Sequence, residues 1–145
     1  FGHVESRQNR IDHMLRIRDL QDETGGFNAF IPLVYQRDNN YLKVENYPGS
    51  AEILKTFAIS RLVLDNVAHI KAYWATSTIN LAMVAQEFGA DDLDGTIEKE
   101  SIQSAAGAKS ASGMSLRNFT DLIQTSGFVP VERDSLYNEL KIYDN

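Results

Sequence analysis

The amino-acid sequence predicts an α/β fold built on parallel strands, and within that class a portion of a βα barrel. Three observations lead there. Strand-like and helix-like patterns alternate through most of the 145 residues, which favours a parallel sheet. The glycine fingerprint that a dinucleotide-binding doubly wound sheet carries after its first strand is missing, since Gly2-His3-Val4-Glu5-Ser6 stands there. The predicted carboxyl ends of the strands carry His3 and Glu5, Tyr35 and Gln36, Tyr73 and Trp74, then Asp92 and Asp94. A βα barrel gathers its reactive groups at those ends.

The elements follow in order. Phe1 to Val4 reads as the tail of a strand, with His3 and Glu5 on one side of it. Ser6 is suited to cap a helix, because its hydroxyl can accept from a free first-turn N–H. Ile11, Met14, Leu15 and Leu20 then recur at helical spacing, and Gly25-Gly26 ends the helix. Phe27 to Val34 is nearly all apolar, as expected of a strand covered on both faces, and Pro32 lies near its end. Tyr35 to Tyr47 is a polar, aromatic, aperiodic connection of a length that usually serves function.

Pro48-Gly49-Ser50 opens a helix carrying Ile53, Leu54, Phe57, Ala58 and Leu62. Val67 to Trp74 alternates as a strand, with His69, Lys71 and Tyr73 on one face and Ala68, Ile70, Ala72 and Trp74 on the other. Leu81, Ala82, Val84, Ala85 and Phe88 mark the next helix, which Gly89 ends before a short strand over Ala90 to Asp94. Glu98 to Ala106 reads as a short helix and Gly107 to Gly113 as a small-residue linker. Ser115 caps a helix bearing Leu116, Phe119, Leu122 and Ile123, closed by Gly127. A last strand over Phe128 to Val131 trails into a polar tail.

Composition narrows the function. A net charge of −6 disfavours a general nucleic-acid binder, which needs a basic surface to displace counterions. No apolar run approaches the ~20 residues that span a bilayer, and a cytoplasmic location is expected. The absence of cysteine excludes disulfides, thiolate metal sites and cysteine nucleophiles together. The chain opens on Phe1 in mid-pattern, and a piece of something longer is expected.

Each candidate side chain has a functional and a structural reading. His3 and Glu5 can bind a ribose or move a proton, or the pair can be a histidine tied to a neighbouring carboxylate. His69, Lys71 and Tyr73 can hold a carboxylate substrate, or form a polar strand face in water. Trp74 can fill the core. Asp91, Asp92 and Asp94 invite a metal, but Ala90 and Ser101 stand where a calcium loop needs its first aspartate and closing glutamate. Acidic capping of the following helix is the alternative. Gly107 to Ser115 lacks the Gly-Lys-Ser/Thr of a phosphate loop, and the sequon Asn118-Phe119-Thr120 falls inside a predicted helix. No metal site is expected on this chain.

Several stretches together carry a family resemblance. They include Gly2-His3-Val4-Glu5, Arg10-Ile11-Asp12-His13, Leu20 to Phe27, Phe30-Ile31-Pro32-Leu33, Leu64-Asp65-Asn66, His69 to Trp74, Phe88 to Thr96, Ala105 to Ala108, Pro130 to Asp134 and Leu136-Tyr137-Asn138. The chain resembles the aminofutalosine synthases, radical S-adenosylmethionine enzymes of the futalosine route to menaquinone. Sister enzymes, the cyclic dehypoxanthinyl futalosine synthases and the deazaflavin-forming synthases, share the helix-face motifs. The His69-to-Trp74 and Ala90-to-Thr96 stretches look like the aminofutalosine branch.

The resemblance implies the second half of a TIM-like βα barrel, residues 1–108, with residues 109–145 as a carboxy-terminal helix-and-strand extension. It implies S-adenosylmethionine and a four-iron, four-sulfur cluster in the parent enzyme. It also implies a reaction in which the 5′-deoxyadenosyl radical adds to 3-[(1-carboxyvinyl)oxy]benzoate. The cluster is held by a CxxxCxxC motif that this chain lacks, so the chain alone is expected to be inactive. By the same resemblance Glu5 and Ser6 lie near the adenosyl ribose and Phe30-Ile31-Pro32 near the adenine. His3, Lys71, Tyr73, Asp92, Asp94 and Thr96 then face the small-molecule substrate. The expected macromolecular partner is the missing amino-terminal half of the barrel, or a second copy joined through exposed strand edges, with no nucleic acid or membrane involved.

Overall fold

A computed structural model describes residues 1–97, Ala105 and 113–144. Helix α1 spans Arg7–Thr24, strand β1 Ala29–Phe30, α2 Ser50–Val63, β2 His69–Ile70, α3 Trp74–Ser77 and α4 Ile79–Ala85. A 3₁₀ turn over Gln86–Phe88 extends α4. Helix α5 covers Leu116–Thr125, and strands β3 (Val131–Arg133) and β4 (Glu139–Ile142) follow it. The predicted helix over 98–106, the linker over 107–113 and the boundary at 108 lie largely outside the described residues.

The helix boundaries have local causes. Ser6 accepts from the Asn9 N–H while the Asn9 side chain accepts from the Ser6 N–H, a capping box in which asparagine replaces the usual glutamate. Gly25, at φ +60°, returns its N–H to the Gln21 carbonyl and ends α1. Ser115 caps α5 through the Asn118 N–H, and the sequon residues Phe119 and Thr120 are buried within that helix. Thr78 accepts from Leu81 to start α4.

Strands β1 and β2 pair in parallel, Ala29 with His69 and Phe30 with Ile70. A parallel bridge between Lys71 and Asp92 adds a third segment, supported by Ala72 N–H to the Asp92 carbonyl at 2.7 Å. Phe1 brackets Val34 in the parallel pattern: its nitrogen donates to the Leu33 carbonyl and its carbonyl accepts from Tyr35. The segments thus lie side by side in sequence order. Among the described residues they form a short open array rather than a closed barrel.

These segments are shorter than the sequence predicts. Only Phe1 pairs in the first, because residues 3 and 4 bend and Glu5 folds back on the N–H groups of Gly2 and His3. His3 and Glu5 therefore do not project from one extended strand. The second ends at Phe30, where the ladder gives way to a local bond from Leu33 N–H to the Ile31 carbonyl. It is covered on one face only: Pro32 and Val34 are buried, Ile31 and Leu33 exposed. Trp74 belongs to α3 rather than to a strand. At the carboxyl terminus the sequence predicts one strand, and the structure has an antiparallel hairpin.

The core lies between the parallel segments and helices α2 and α4. Phe57, Leu64, Val67, Ile70, Ala72, Trp74, Ala82 and Ala85 are all essentially sealed from water. Each large side chain there contributes about 1.5–3 kcal/mol by burial. Ile70, Ala72 and Trp74 face this core while His69, Lys71 and Tyr73 remain half-buried, as the alternation predicts, but Ala68, predicted on the core face, is exposed because it precedes the start of β2. No helix among the described residues is long and apolar enough to cross a membrane.

Candidate functional site

Lys71 stands where β2 hands over to the Asp92 bridge, with its side chain 13% exposed. Its ammonium lies 2.6 Å from Asp94 Oδ1 and 3.7 Å from Asp92 Oδ2. The chain reaches this geometry by a tight turn. Asp94 sits at φ +66° and donates its N–H to Asp92 Oδ1 at 2.9 Å, a conformation that aspartate tolerates better than most residues.

Asp92 is the hub. Its Oδ2 accepts from the Tyr137 hydroxyl at 2.5 Å and from Arg133 Nη2 at 2.6 Å. Burial pushes the Asp92 carboxyl up, but the Tyr137 and Asp94 hydrogen bonds and the nearby Lys71 and Arg133 charges outweigh it and hold the group below the ordinary range. Tyr137 moves the opposite way: burial and the hydrogen bond to the Asp92 carboxylate both push its phenol far up. Tyr137 stacks on His69, ring centroids 3.9 Å apart and planes 7° from parallel, and the Arg133 guanidinium lies 4.2 Å from its ring centre.

The hairpin turn that presents these two residues is built by Asp134. One of its oxygens accepts from the N–H groups of Leu136 and Asn138, the other from the Asn138 side chain. Below the hub, Asp91 accepts from Ile70 N–H and Arg61 Nη2 on one oxygen, and its other oxygen lies 2.7 Å from His69 Nδ1. A cavity of about 500 Å³ opens beside the cluster between segment 91–96, α5 and the hairpin, and Asp92, Asp94 and Thr96 line it.

Of the sequence-predicted residues, Lys71, Asp92 and Asp94 come into direct contact, and Thr96 lies beside them. Tyr73 shares the Lys71 face of its segment. His3, Glu5 and Ser6 gather elsewhere. Glu5 accepts from Gly2 N–H, His3 N–H and Arg10 Nε, His3 lies edge-on to Tyr35, and Ser6 caps α1. Phe30 is half-buried, Ile31 exposed and Pro32 buried at the end of β1. Trp74 fills the core, as its structural reading has it, with its indole N–H on the Gly95 carbonyl.

Sequence reasoning missed Arg133 and Tyr137. Their only signal was membership of the Pro130-to-Asn138 stretch, with nothing to tie it to Asp92. No group of three histidine, cysteine or acidic residues among the described residues is arranged to hold a metal ion.

A family described as the CofH/MqnC C-terminal region matches residues 24–145. The chain is 45% identical to the aminodeoxyfutalosine synthase of Thermus thermophilus, over 99% of this chain and 40% of that protein. It is 42% identical to the cyclic dehypoxanthine futalosine synthase of Streptomyces coelicolor, over 100% of this chain and 36% of that protein. It is also 34% identical to the 5-amino-6-(D-ribitylamino)uracil–L-tyrosine 4-hydroxyphenyl transferase of Methanopyrus kandleri, over 99% of this chain and 40% of that protein. The chain thus spans about two-fifths of the length of the curated relatives it matches. With the family match running from the end of α1 to the last residue, this chain belongs to the CofH/MqnC C-terminal family.

Proposed function

We propose that the chain is the carboxy-terminal portion of an aminofutalosine synthase of the radical S-adenosylmethionine type. The whole protein then joins the 5′-deoxyadenosyl unit to 3-[(1-carboxyvinyl)oxy]benzoate in menaquinone biosynthesis. The observation that carries the reading is the Lys71 ammonium at the carboxyl end of the parallel segments, 2.6 Å from Asp94. The identity to aminodeoxyfutalosine synthase, 45% across nearly all of the chain, supports the choice of branch. In this reading the parallel segments are staves of the second half of a βα barrel, and the portion that the relatives carry in addition covers their open edges.

The residues of this chain do not fit an iron–sulfur cluster, because a cluster needs thiolates and the sequence has no cysteine. They do fit an adenosyl group. A carboxylate offers about four lone-pair sites, and on Glu5 the N–H groups of Gly2, His3 and Glu5 itself and Arg10 Nε already donate to it, so in this reading a ribose hydroxyl takes the place of one of them. Exposed Ile31 between Phe30 and Pro32 offers an apolar ledge to a purine ring, and Ser6 holds the adjoining helix start. S-adenosylmethionine supplies the adenosyl carbon when bound.

The chain's own task is to bind and orient the acceptor. Lys71 exchanges the partly exposed Asp94 for a substrate carboxylate, while buried Asp92 stays in place. Tyr73, on the Lys71 face of its segment, and Thr96, on the cavity wall, complete the polar lining, while His3 stands apart with Glu5 and Tyr35. In the full-length protein, Lys71→Met is expected to raise KM for 3-[(1-carboxyvinyl)oxy]benzoate by about tenfold or more, the loss of one charge-assisted hydrogen bond. Release of 5′-deoxyadenosine without coupling should persist. Unchanged KM would remove Lys71 from the substrate site.

The 42% identity to a cyclic dehypoxanthine futalosine synthase supports a second reading, in which the parent acts on that sister enzyme's substrate. Product analysis separates the two: formation of aminofutalosine supports the first, and turnover of dehypoxanthine futalosine alone the second.

A further inference from the structure

Asp92 Oδ2 receives two donors from outside the parallel array, and the substrate reading of Lys71 gives them no role. Both come from the β3–β4 hairpin, 41 and 45 residues away in sequence. Asp92 is 8% exposed, and its Oδ2 faces both the hairpin and Lys71. The Lys71 ammonium must therefore choose between two carboxylates. It sits 2.6 Å from Asp94, which is 33% exposed, and 3.7 Å from Asp92.

We propose that Arg133 and Tyr137 are positioning residues: by saturating Asp92 from the hairpin side they leave Lys71 bound to Asp94, the partner it can give up for a substrate carboxylate. The proposal rests on the reading of Lys71 as the substrate cation. Its physical basis is competition for lone pairs. With donors at 2.5 and 2.6 Å, Oδ2 has little left for a third donor, and Lys71 feels it only as a charge at longer range.

Remove the tyrosine hydroxyl and that oxygen becomes the most attractive site within reach of the ammonium. A buried ion pair is harder to break than a partly exposed one, so an incoming carboxylate would then compete with Asp92 instead of with Asp94. The hydroxyl is held on target from three directions. His69 stacks against the ring and is itself fixed by Asp91, Arg133 packs over the ring, and the Asp134 turn locks the backbone of Tyr137 at φ +64°.

The test uses the full-length protein. Tyr137→Phe keeps the ring, its stack on His69 and its contact with Arg133, and removes only the hydroxyl. It is expected to raise KM for the carboxylate substrate by about tenfold with kcat little changed, as loss of one hydrogen bond to a charged group would. Arg133→Lys, which keeps the charge but not the forked geometry, should act in the same direction. Both variants should shift the side-chain NMR resonances of Lys71 in the absence of substrate.

In a Lys71→Met background Tyr137→Phe should add nothing further to KM, because the two act through one interaction. Additive effects, or Lys71 resonances that do not move in either variant, would overturn the proposal. Resonances that move while Lys71→Met leaves KM unchanged would overturn the substrate reading beneath it instead. A folded Tyr137→Phe variant with lowered thermal stability and unaltered KM would reduce the hairpin to a structural prop and likewise overturn the proposal.

Discussion

Glu5 shows how a single side chain can hold a chain entry in place. Burial pushes its carboxyl up, but the N–H groups of Gly2 and His3 and the Arg10 guanidinium prevail and bring it down to about 2. Arg10 in turn reaches Glu52 on α2 at 3.0 Å, so the carboxylate links the entry segment to two helices. A folded-state value below the ordinary one means that Glu5 stabilises the fold at neutral pH. That contribution fades as pH falls from the ordinary carboxylate range through about 2. Glu5→Gln is expected to lower stability at neutral pH by about 1–3 kcal/mol and to flatten the acid limb of a plot of urea midpoint against pH. An acid limb as steep as in the parent chain would assign the acid sensitivity to other carboxylates. The pairing of His3 with Glu5 was legible from spacing, but their side-by-side projection was not, since the fold-back depends on the left-handed backbone at Gly2, φ +92°. Lys71, Asp92 and Asp94 were legible because strand alternation and an acidic turn are local patterns. Arg133 and Tyr137 were not, because their partner lies across the fold and the tail that carries them reads as polar and featureless.

At the scale of elements, two glycines that look alike in sequence end their helices under different constraints. Gly25 and Gly89 both have positive φ, +60° and +94°. A Cβ built at Gly25 meets nothing within 4 Å, whereas one at Gly89 falls 2.7 Å from Arg61 Cβ and 2.9 Å from Arg61 Cγ. Those atoms lie at the root of a side chain whose guanidinium is bound to the Gly89 carbonyl and to Asp91, so it cannot move aside freely. Gly25→Ala is expected to cost about 1 kcal/mol, the backbone penalty alone. Gly89→Ala should cost clearly more and should loosen the Asp91–His69 contact as well, which thermal denaturation of the two variants side by side will measure. Equal costs would mean that Arg61 yields without penalty. Helices α1 and α5 were legible because their Ser6 and Ser115 caps are written in a few adjacent residues, and α2 and α4 because apolar spacing is a local pattern. Strand lengths were not, because a ladder continues only while a neighbour supplies partners. The apolar run from Phe27 predicts a long strand, but Leu33 bonds back to Ile31 and the ladder stops at Phe30. The β3–β4 hairpin went unseen because all four residues of β4 are exposed, so no burial rhythm marks it.

At the scale of the whole molecule, the parallel array is sealed on one face and open on the other. Ile70 and Ala72 are fully buried against the helices, while Ile31 and Leu33, just past the end of β1, are 38% and 42% exposed. An open face of mixed apolar and charged side chains, bounded by segments with unpaired backbone, is a template for another chain. In the reading proposed above, the rest of the parent protein covers it. Produced alone, this chain then has two ways to satisfy the exposed backbone: water, or a second copy. Apolar side chains beside the unpaired groups tilt the balance towards the second, since water serves the backbone but not Ile31 and Leu33. Light scattering on the isolated chain should therefore give a mass that rises with protein concentration. The full-length protein, with the same face covered from within, should hold one mass across the same range. Lys substitution at Ile31, which places a charge on the open face without touching the buried one, should return the isolated chain towards a monomer. A compact monomer at every concentration would show that these short segments are blunt enough to need no partner, and would remove the reason for expecting one.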